Sequence, residues 1–166
     1  MLKIAIVGCG KIAEVHAEVI KSHSSLATLV ATCDKELLMA KQLAERFGAK
    51  SYYDDLPKML KEERPDAVHI TTPPQSHYEL AKTCLEAGCH VFVEKPFTIN
   101  AAETRGLINL AISNNLKITV GTDEQFSSVV LEMRQLIRTG WLGGPPTQMD
   151  VYYCYDLGDE RYARAF

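Results

Sequence analysis

The sequence contains no apolar run near the roughly 20 residues that a membrane-spanning helix needs, so no membrane partner is expected. It has no basic cluster. A formal net charge of -3 and a pI of about 6.0 speak against a nucleic-acid surface. There is no Cys-x-x-Cys pair. The five cysteines, at 9, 33, 84, 89 and 154, are odd in number and lie in strand-like surroundings. They read as reduced, mostly buried thiols of a cytoplasmic protein. Cys84 and Cys89 have no other ligand types close by, so no metal site is expected. The sequence has no internal repeat and no low-complexity tract. Its apolar start breaks at Gly8 and runs into a charged helix, which is not how a secretory signal reads.

What is present is ordinary in amount, with 46% hydrophobic and 23% charged residues over 166 positions, and informative in order. Ile4 to Val7 is a short unbroken apolar run, the pattern of a strand buried on both faces of a parallel sheet. Gly8 and Gly10 follow at once, and then a helical pattern in which Ile12, Val15, His16, Val19 and Ile20 share a face. In such a strand–turn–helix unit the first glycine makes the tight turn. The second admits a pyrophosphate to the backbone, and Ala13 stands where a small residue lets the helix pack on the strand. The helix N-terminus then faces the phosphates. A second strand, Leu29 to Cys33, ends in Asp34, about 20 residues beyond the glycine turn. An acid there suits the ribose hydroxyls of an adenine dinucleotide, although it could also cap the next helix.

Strand and helix patterns alternate along the chain, as in a parallel sheet with helices on both faces. A helix over 35–47 carries Leu37, Ala40, Leu43, Ala44 and Phe47 and stops at Gly48. Ser51–Tyr53 is a short strand, and Asp54 and Asp55 cap a helix reaching Lys61. Strands follow over 67–71, 90–93 and 116–121. Between them lie helices opened by Ser76 and by Asn100 with Glu103. A helix over 127–138 is expected to close the core through Val130, Met133, Leu136 and Ile137. After the Gly-Pro-rich break at 140–146, residues 147–156 alternate like the first strand of something else. The expected architecture is an α/β, doubly wound parallel sheet of the Rossmann type over 1–122. Residues 123–166 hold a linking helix and only the first strand of a second α+β domain. An unpaired strand edge tends to pair with another chain, so self-association through 147–156 is expected.

Chemistry in an open parallel sheet gathers beyond the carboxyl ends of the strands. Gly8-Cys9-Gly10, Asp34, Thr71-Thr72-Pro73-Pro74, Glu94-Lys95-Pro96 and Gly121 all fall at such ends. Lys95, between an acid and a proline, can project a cation toward a substrate hydroxyl and stabilise developing alkoxide charge. It can equally be one half of a surface Lys–Glu pair.

Gly8-x-Gly10-x-x-Ala13-x-x-His16, Asp34, Thr72-Pro73-Pro74-x-x-His77 and Glu94-Lys95-Pro96 together resemble the glucose-fructose oxidoreductase / inositol dehydrogenase family (Gfo/Idh/MocA) over residues 1 to about 156. The resemblance implies NAD(P)-dependent oxidoreduction of a sugar, cyclitol or related polyol, with Lys95 catalytic and touching both nicotinamide and substrate. The cofactor-binding set it implies is Gly8, Gly10, Lys11, Ile12, Asp34, Lys35, Thr71, Thr72, Pro73, His77, Glu94, Lys95 and Pro96. His16 and His77 read more simply as packing and hydrogen bonding behind the loops. Asp34 repels a 2′-phosphate and so favours NAD; Lys35 beside it could pair with that phosphate, which keeps NADP open. Two departures stand out. Gln125 occupies the place where the family often carries an arginine. The family's substrate domain, with its catalytic histidine and aspartate, is nearly absent, as in an excised nucleotide-binding part. A non-enzymatic dinucleotide-binding or regulatory module is the competing reading. A methyltransferase using the same glycine turn leaves Glu94-Lys95-Pro96 without a role.

Overall fold

A computed structural model describes residues 1–150 and 152. The chain divides into two compact units, Met1–Thr122 and Asp123–Phe166. The first contains β1 (Leu2–Val7), α1 (Lys11–Ser22), β2 (Ala27–Cys33), α2 (Leu37–Phe47), β3 (Ser51–Tyr53) and α3 (Leu56–Glu63). It continues through β4 (Ala67–Ile70), α4 (His77–Glu86), β5 (His90–Val93), α5 (Ala101–Ser113) and β6 (Ile118–Val120). The strands form one parallel sheet in the order β3-β2-β1-β4-β5-β6. The chain therefore builds outward from β1 on one side, returns, and builds outward on the other. The reversal leaves a crevice between the carboxyl ends of β1 and β4, where open α/β sheets bind ligands.

The two faces of the sheet are read directly from β1. Ile4 and Ile6 point into one core, with Ala13, Ala17 and Ile20 of α1 and Ala40 and Leu43 of α2. Ala5 and Val7 point into the other, with Met59 of α3, Ala81 and Leu85 of α4 and Leu107 of α5. This alternation is the period-2 geometry of a strand, with both faces covered as the unbroken apolar run requires.

Two helix faces differ from expectation. On α1 the buried residues are Ala13, Ala17 and Ile20, whereas Ile12, Val15 and Val19 are 43%, 52% and 54% exposed. Ala13 packs on the strand and Ile20 is buried, as expected, but Ala17 completes the contact in place of Ile12, Val15 and Val19. On α2, Leu37 is likewise exposed. Asp34 is not the N-cap of α2; that position is Glu36. The caps at Asp55 and Asn100 are present, accepting the backbone N–H groups of Lys58 and Glu103. Ser76 bonds Thr72 Oγ1 and the Pro73 carbonyl instead of capping α4.

In the second unit α6 (Ser128–Arg138) is capped by Ser127, but it buries no residue. It therefore does not close a core as expected: Val130, Leu136 and Ile137 are half-buried and Met133 is exposed. Gln125 lies in the helical turn Asp123–Phe126. Residues 147–150 and 152 are in no strand, and the rest of the segment expected to be a strand over 147–156 lies outside the described residues.

Candidate dinucleotide site

The carboxyl ends of the strands are stapled at one level. Gly8 N–H donates to the Cys33 carbonyl, Asp34 N–H to Tyr53, Thr71 N–H to Val7, Glu94 N–H to Ile70 and Gly121 N–H to Val93. Each bond extends a strand pair by one step, so the loops carrying the candidate residues leave the sheet along one edge.

Gly8 is held in the left-handed region, φ 89°, and a Cβ there would lie 2.5 Å from Thr72 Cγ2 and 2.8 Å from Thr72 N. Only glycine fits both the angle and the space. The Thr71 hydroxyl donates to the Gly8 carbonyl at 2.6 Å, pinning the turn from the β4 side. Asp34 pins it from the β2 side: its Oδ2 accepts the Cys9 N–H at 2.6 Å, while its Oδ1 accepts the Glu36 N–H at 2.9 Å. Gly10 is the N-cap of α1 at φ -80°, an angle any residue adopts. A Cβ at Gly10 would meet nothing within 4 Å. The space beside the Gly10 backbone is therefore open among the described residues, wide enough for an anion to approach the backbone. The free N–H groups and positive end of α1 suit that anion.

A cleft of about 650 Å³ opens at this place, lined by Gly8, Gly10, Asp34, Lys35, Thr71, Thr72 and Pro73 from the expected set. Asp54, Leu56, Gln75, Ser76 and Leu80 also line it and were not foreseen. The Asp54-Asp55 pair reads as capping alone, and Asp55 does the capping, which leaves Asp54 for the cleft. Lys11, Ile12, Glu94, Lys95 and Pro96 are not in its lining; they lie further along the same edge. Another opening of about 670 Å³, at the amino ends of β4 and β5, is lined by Lys61, Arg64 and Glu86 among others and holds none of the expected residues.

His77 has no exposed surface. Its ring nitrogens face the Thr72 carbonyl and the Pro96 carbonyl, both at 2.8 Å. It bridges the Thr72-Pro73 loop to the Glu94-Lys95-Pro96 loop and reaches a ligand only through them. The Lys95–Pro96 bond is cis. Among the described residues no ion pair involves Lys95. Glu94 turns away from it: Oε1 lies 3.0 Å from His16 Nε2, and Oε2 accepts the Lys95 backbone N–H at 3.2 Å. The surface-pair alternative for Lys95 is thereby set aside. His16 Nδ1 is in turn 3.0 Å from His69 Nδ1, and both rings pack on Phe92. Burial, and after it the neighbouring His16, pulls His69 down from its ordinary value near 6.5 to about 4. His69 was not singled out from the sequence, because its partners are far away along the chain.

Cys9, Cys33, Cys84 and Cys89 are buried free thiols. Burial first, and Asp34 second, pushes Cys9 and Cys33 up to about 12, which makes them poor nucleophiles. Among the described residues no three His, Cys, Asp or Glu side chains are grouped to hold a metal ion. No helix among them is long and apolar enough to cross a membrane.

The crossover crevice, the glycine turn at a helix N-terminus and the acid at the tip of β2 together define a dinucleotide-binding Rossmann domain. The model of the Gfo/Idh/MocA oxidoreductase family with an NAD-binding Rossmann fold matches residues 2–122, and the chain belongs to this family. It is 35% identical over 143 residues to D-glucoside 3-dehydrogenase of Escherichia coli, covering 86% of this chain and 40% of that protein. It is 26% identical over 144 residues to myo-inositol 2-dehydrogenase of Thermotoga maritima, covering 87% and 43%. Among solved structures, scyllo-inositol dehydrogenase of Lactobacillus casei with bound NAD(H) and scyllo-inositol superposes with a TM-score of 0.80 at 27% identity, covering 86% of this chain and 42% of that one. The chain thus spans less than half the length of these relatives.

Proposed function

We propose that this chain is the NAD-binding part of a dehydrogenase acting on a hydroxyl of a sugar, cyclitol or related polyol. The observation that carries the reading is the glycine turn, tied by Asp34 on one side and Thr71 on the other, with unfilled space at Gly10. The adenosine ribose would lie against Asp34 and Lys35, and the pyrophosphate against Gly8 to Ile12 at the start of α1. A dinucleotide crossing the crevice from there would place its nicotinamide toward Thr71-Thr72-Pro73 and Glu94-Lys95-Pro96. A nicotinamide bound there supplies the hydride acceptor. Lys95, with its ammonium unpaired, would hold the substrate oxygen and stabilise the charge left as its proton departs. A base and a substrate wall would come from a part of the length that the relatives have beyond this match.

Asp34 supports NAD over NADP. The buried free thiols support a reducing compartment such as the cytoplasm. Self-association through 147–156 belongs to the same proposal, and light scattering with and without residues 146–166 tests it. Titration calorimetry of the chain with NAD and NADP tests the main reading. Saturable binding with NAD the tighter is expected; no binding of either would overturn it. The regulatory-module alternative would show the same binding without turnover in any longer version of the protein, so a dehydrogenase screen over sugars and cyclitols separates the two.

A further inference from the structure

The half-buried cluster beside Lys95 is costlier than packing alone needs. His69 on β4, His16 on α1 and Glu94 after β5 bring two imidazoles and a carboxylate together around Phe92, all four half-buried. The side chains of His16 and Glu94 are only 9% and 15% exposed. Apolar side chains of the same volume would fill this space without desolvating polar groups, often with no loss of stability. What the polar solution adds is direction. An ionised carboxylate only accepts hydrogen bonds, so His16 must carry a proton on Nε2. Between the two Nδ1 atoms one ring donates and the other accepts. The contacts run from β4 through α1 to Glu94 and fix the carboxylate's orientation.

Glu94 is fully engaged at the end of that chain. One oxygen faces His16 and the other takes the Lys95 backbone N–H. The carboxylate also lies over Gly121, where an added Cβ would sit 2.7 Å from Oε1. A carboxylate so held is turned toward His16 and away from the ammonium of its neighbour.

We propose that His16 and His69 are positioning residues that hold Glu94 away from Lys95, so that the Lys95 ammonium stays unpaired and the Glu94-Lys95 turn keeps its place at the nicotinamide end of the cleft. This rests on the reading that the nicotinamide half of the cofactor lies there. It assigns a role to a pair outside the lining of the cleft.

Two His16 variants separate positioning from simple packing. Gln keeps a donor near the position of Nε2, whereas Asn is too short to reach Glu94. Each is titrated with NADH and with ADP-ribose, which lacks the nicotinamide. For His16→Asn, NADH affinity should fall about tenfold, the scale of one hydrogen bond to a charged group, with ADP-ribose affinity within about twofold. His16→Gln should restore NADH binding. Equal losses for both ligands in both variants would show a packing role only, and no change in either would show no role. A ligand-free measurement stands beside this. The NMR signals of the Lys95 backbone amide and the His ring nitrogens should shift in His16→Asn and recover in His16→Gln. An unmoved Lys95 amide in both variants would overturn the proposal. If the wild-type chain bound NADH no better than ADP-ribose, the nicotinamide placement would fail, and the Lys95 amide would still decide the positioning.

Discussion

The carboxylate of Asp34 accepts the backbone N–H of Cys9 at 2.6 Å. The tip of β2 is thus tied to the turn after β1, and the acid proposed to meet the ribose and the turn proposed to take the phosphates are set as one piece. Replacing Asp34 by Asn keeps a side-chain oxygen for this bond but removes the charge that disfavours a 2′-phosphate. Asp34→Asn is expected to narrow the preference for NAD over NADP by about tenfold or more, the scale of one strong charged interaction. Calorimetry with both cofactors checks it; tighter NADP binding by the unmodified chain would reverse the assignment.

Gly8 and Gly10 should part company on substitution. Gly8→Ala meets both a positive φ and Thr72 backbone at 2.8 Å, and should cost about 2–4 kcal/mol of stability. Gly10→Ala has open space and an ordinary φ, so its stability should stay within about 1 kcal/mol. Its NAD affinity should nevertheless fall by on the order of tenfold or more, because the methyl occupies the phosphate's approach. Urea melts paired with NAD titrations read both effects. Unchanged NAD binding by Gly10→Ala would place the pyrophosphate elsewhere.

Lys95→Ala should leave thermal stability nearly unchanged, since the side chain is exposed and makes no ion pair among the described residues. In a polypeptide long enough to carry a substrate-binding part, turnover should fall by on the order of a hundredfold or more, the usual effect of losing a positioned proton-transfer or charge-stabilising group. Normal turnover would remove Lys95 from the chemistry.

His69 gives stability a pH dependence of definite sign. Its folded value lies near 4, below the ordinary 6.5, so between these limits the unfolded chain binds the extra proton. Stability therefore rises with pH. The contribution is complete above about pH 6.5 and is lost as pH falls toward 4, amounting to at most about 3 kcal/mol. His16 and Phe92 face the ring directly, and Glu94 lies behind His16. Urea denaturation from pH 4 to 7 should show this slope in the parent chain and a shallower one in His69→Gln. Identical slopes would mean that other groups set the acid sensitivity.

The sheet was legible because most strands are short, largely apolar runs closed by a turn residue, with β3 (Ser51–Tyr53) the exception, and because the glycine turn, Asp34 and Glu94-Lys95-Pro96 each follow such a run. Strand ends were less so: the last strand was read over 116–121, while β6 is Ile118–Val120. The contact face of α1 was only partly legible, through Ala13 and Ile20; Ala17 carries little periodic signal beside the exposed Val15 and Val19. The partnership of His16 with His69 was hidden for another reason. The two are 53 positions apart, and only the return of the chain to the far side of β1 brings β4 beneath α1. The stripe of α6 had the helical period, yet none of its residues is buried.

The strand order also has a consequence for the growing chain. With β1, β2 and β3 made, one edge of β1 is still bare, and it stays so until Ala67–Ile70 arrives to pair with it. During synthesis from the N-terminus, the first half of the domain waits with an open hydrogen-bonding edge, a state prone to pairing with other chains. The bond from the Thr71 hydroxyl to the Gly8 carbonyl can form only when β4 docks. The Gly8 turn is therefore finished late: a nascent chain long enough to span both glycines but not Thr71 has the turn without the bond that pins it from the β4 side.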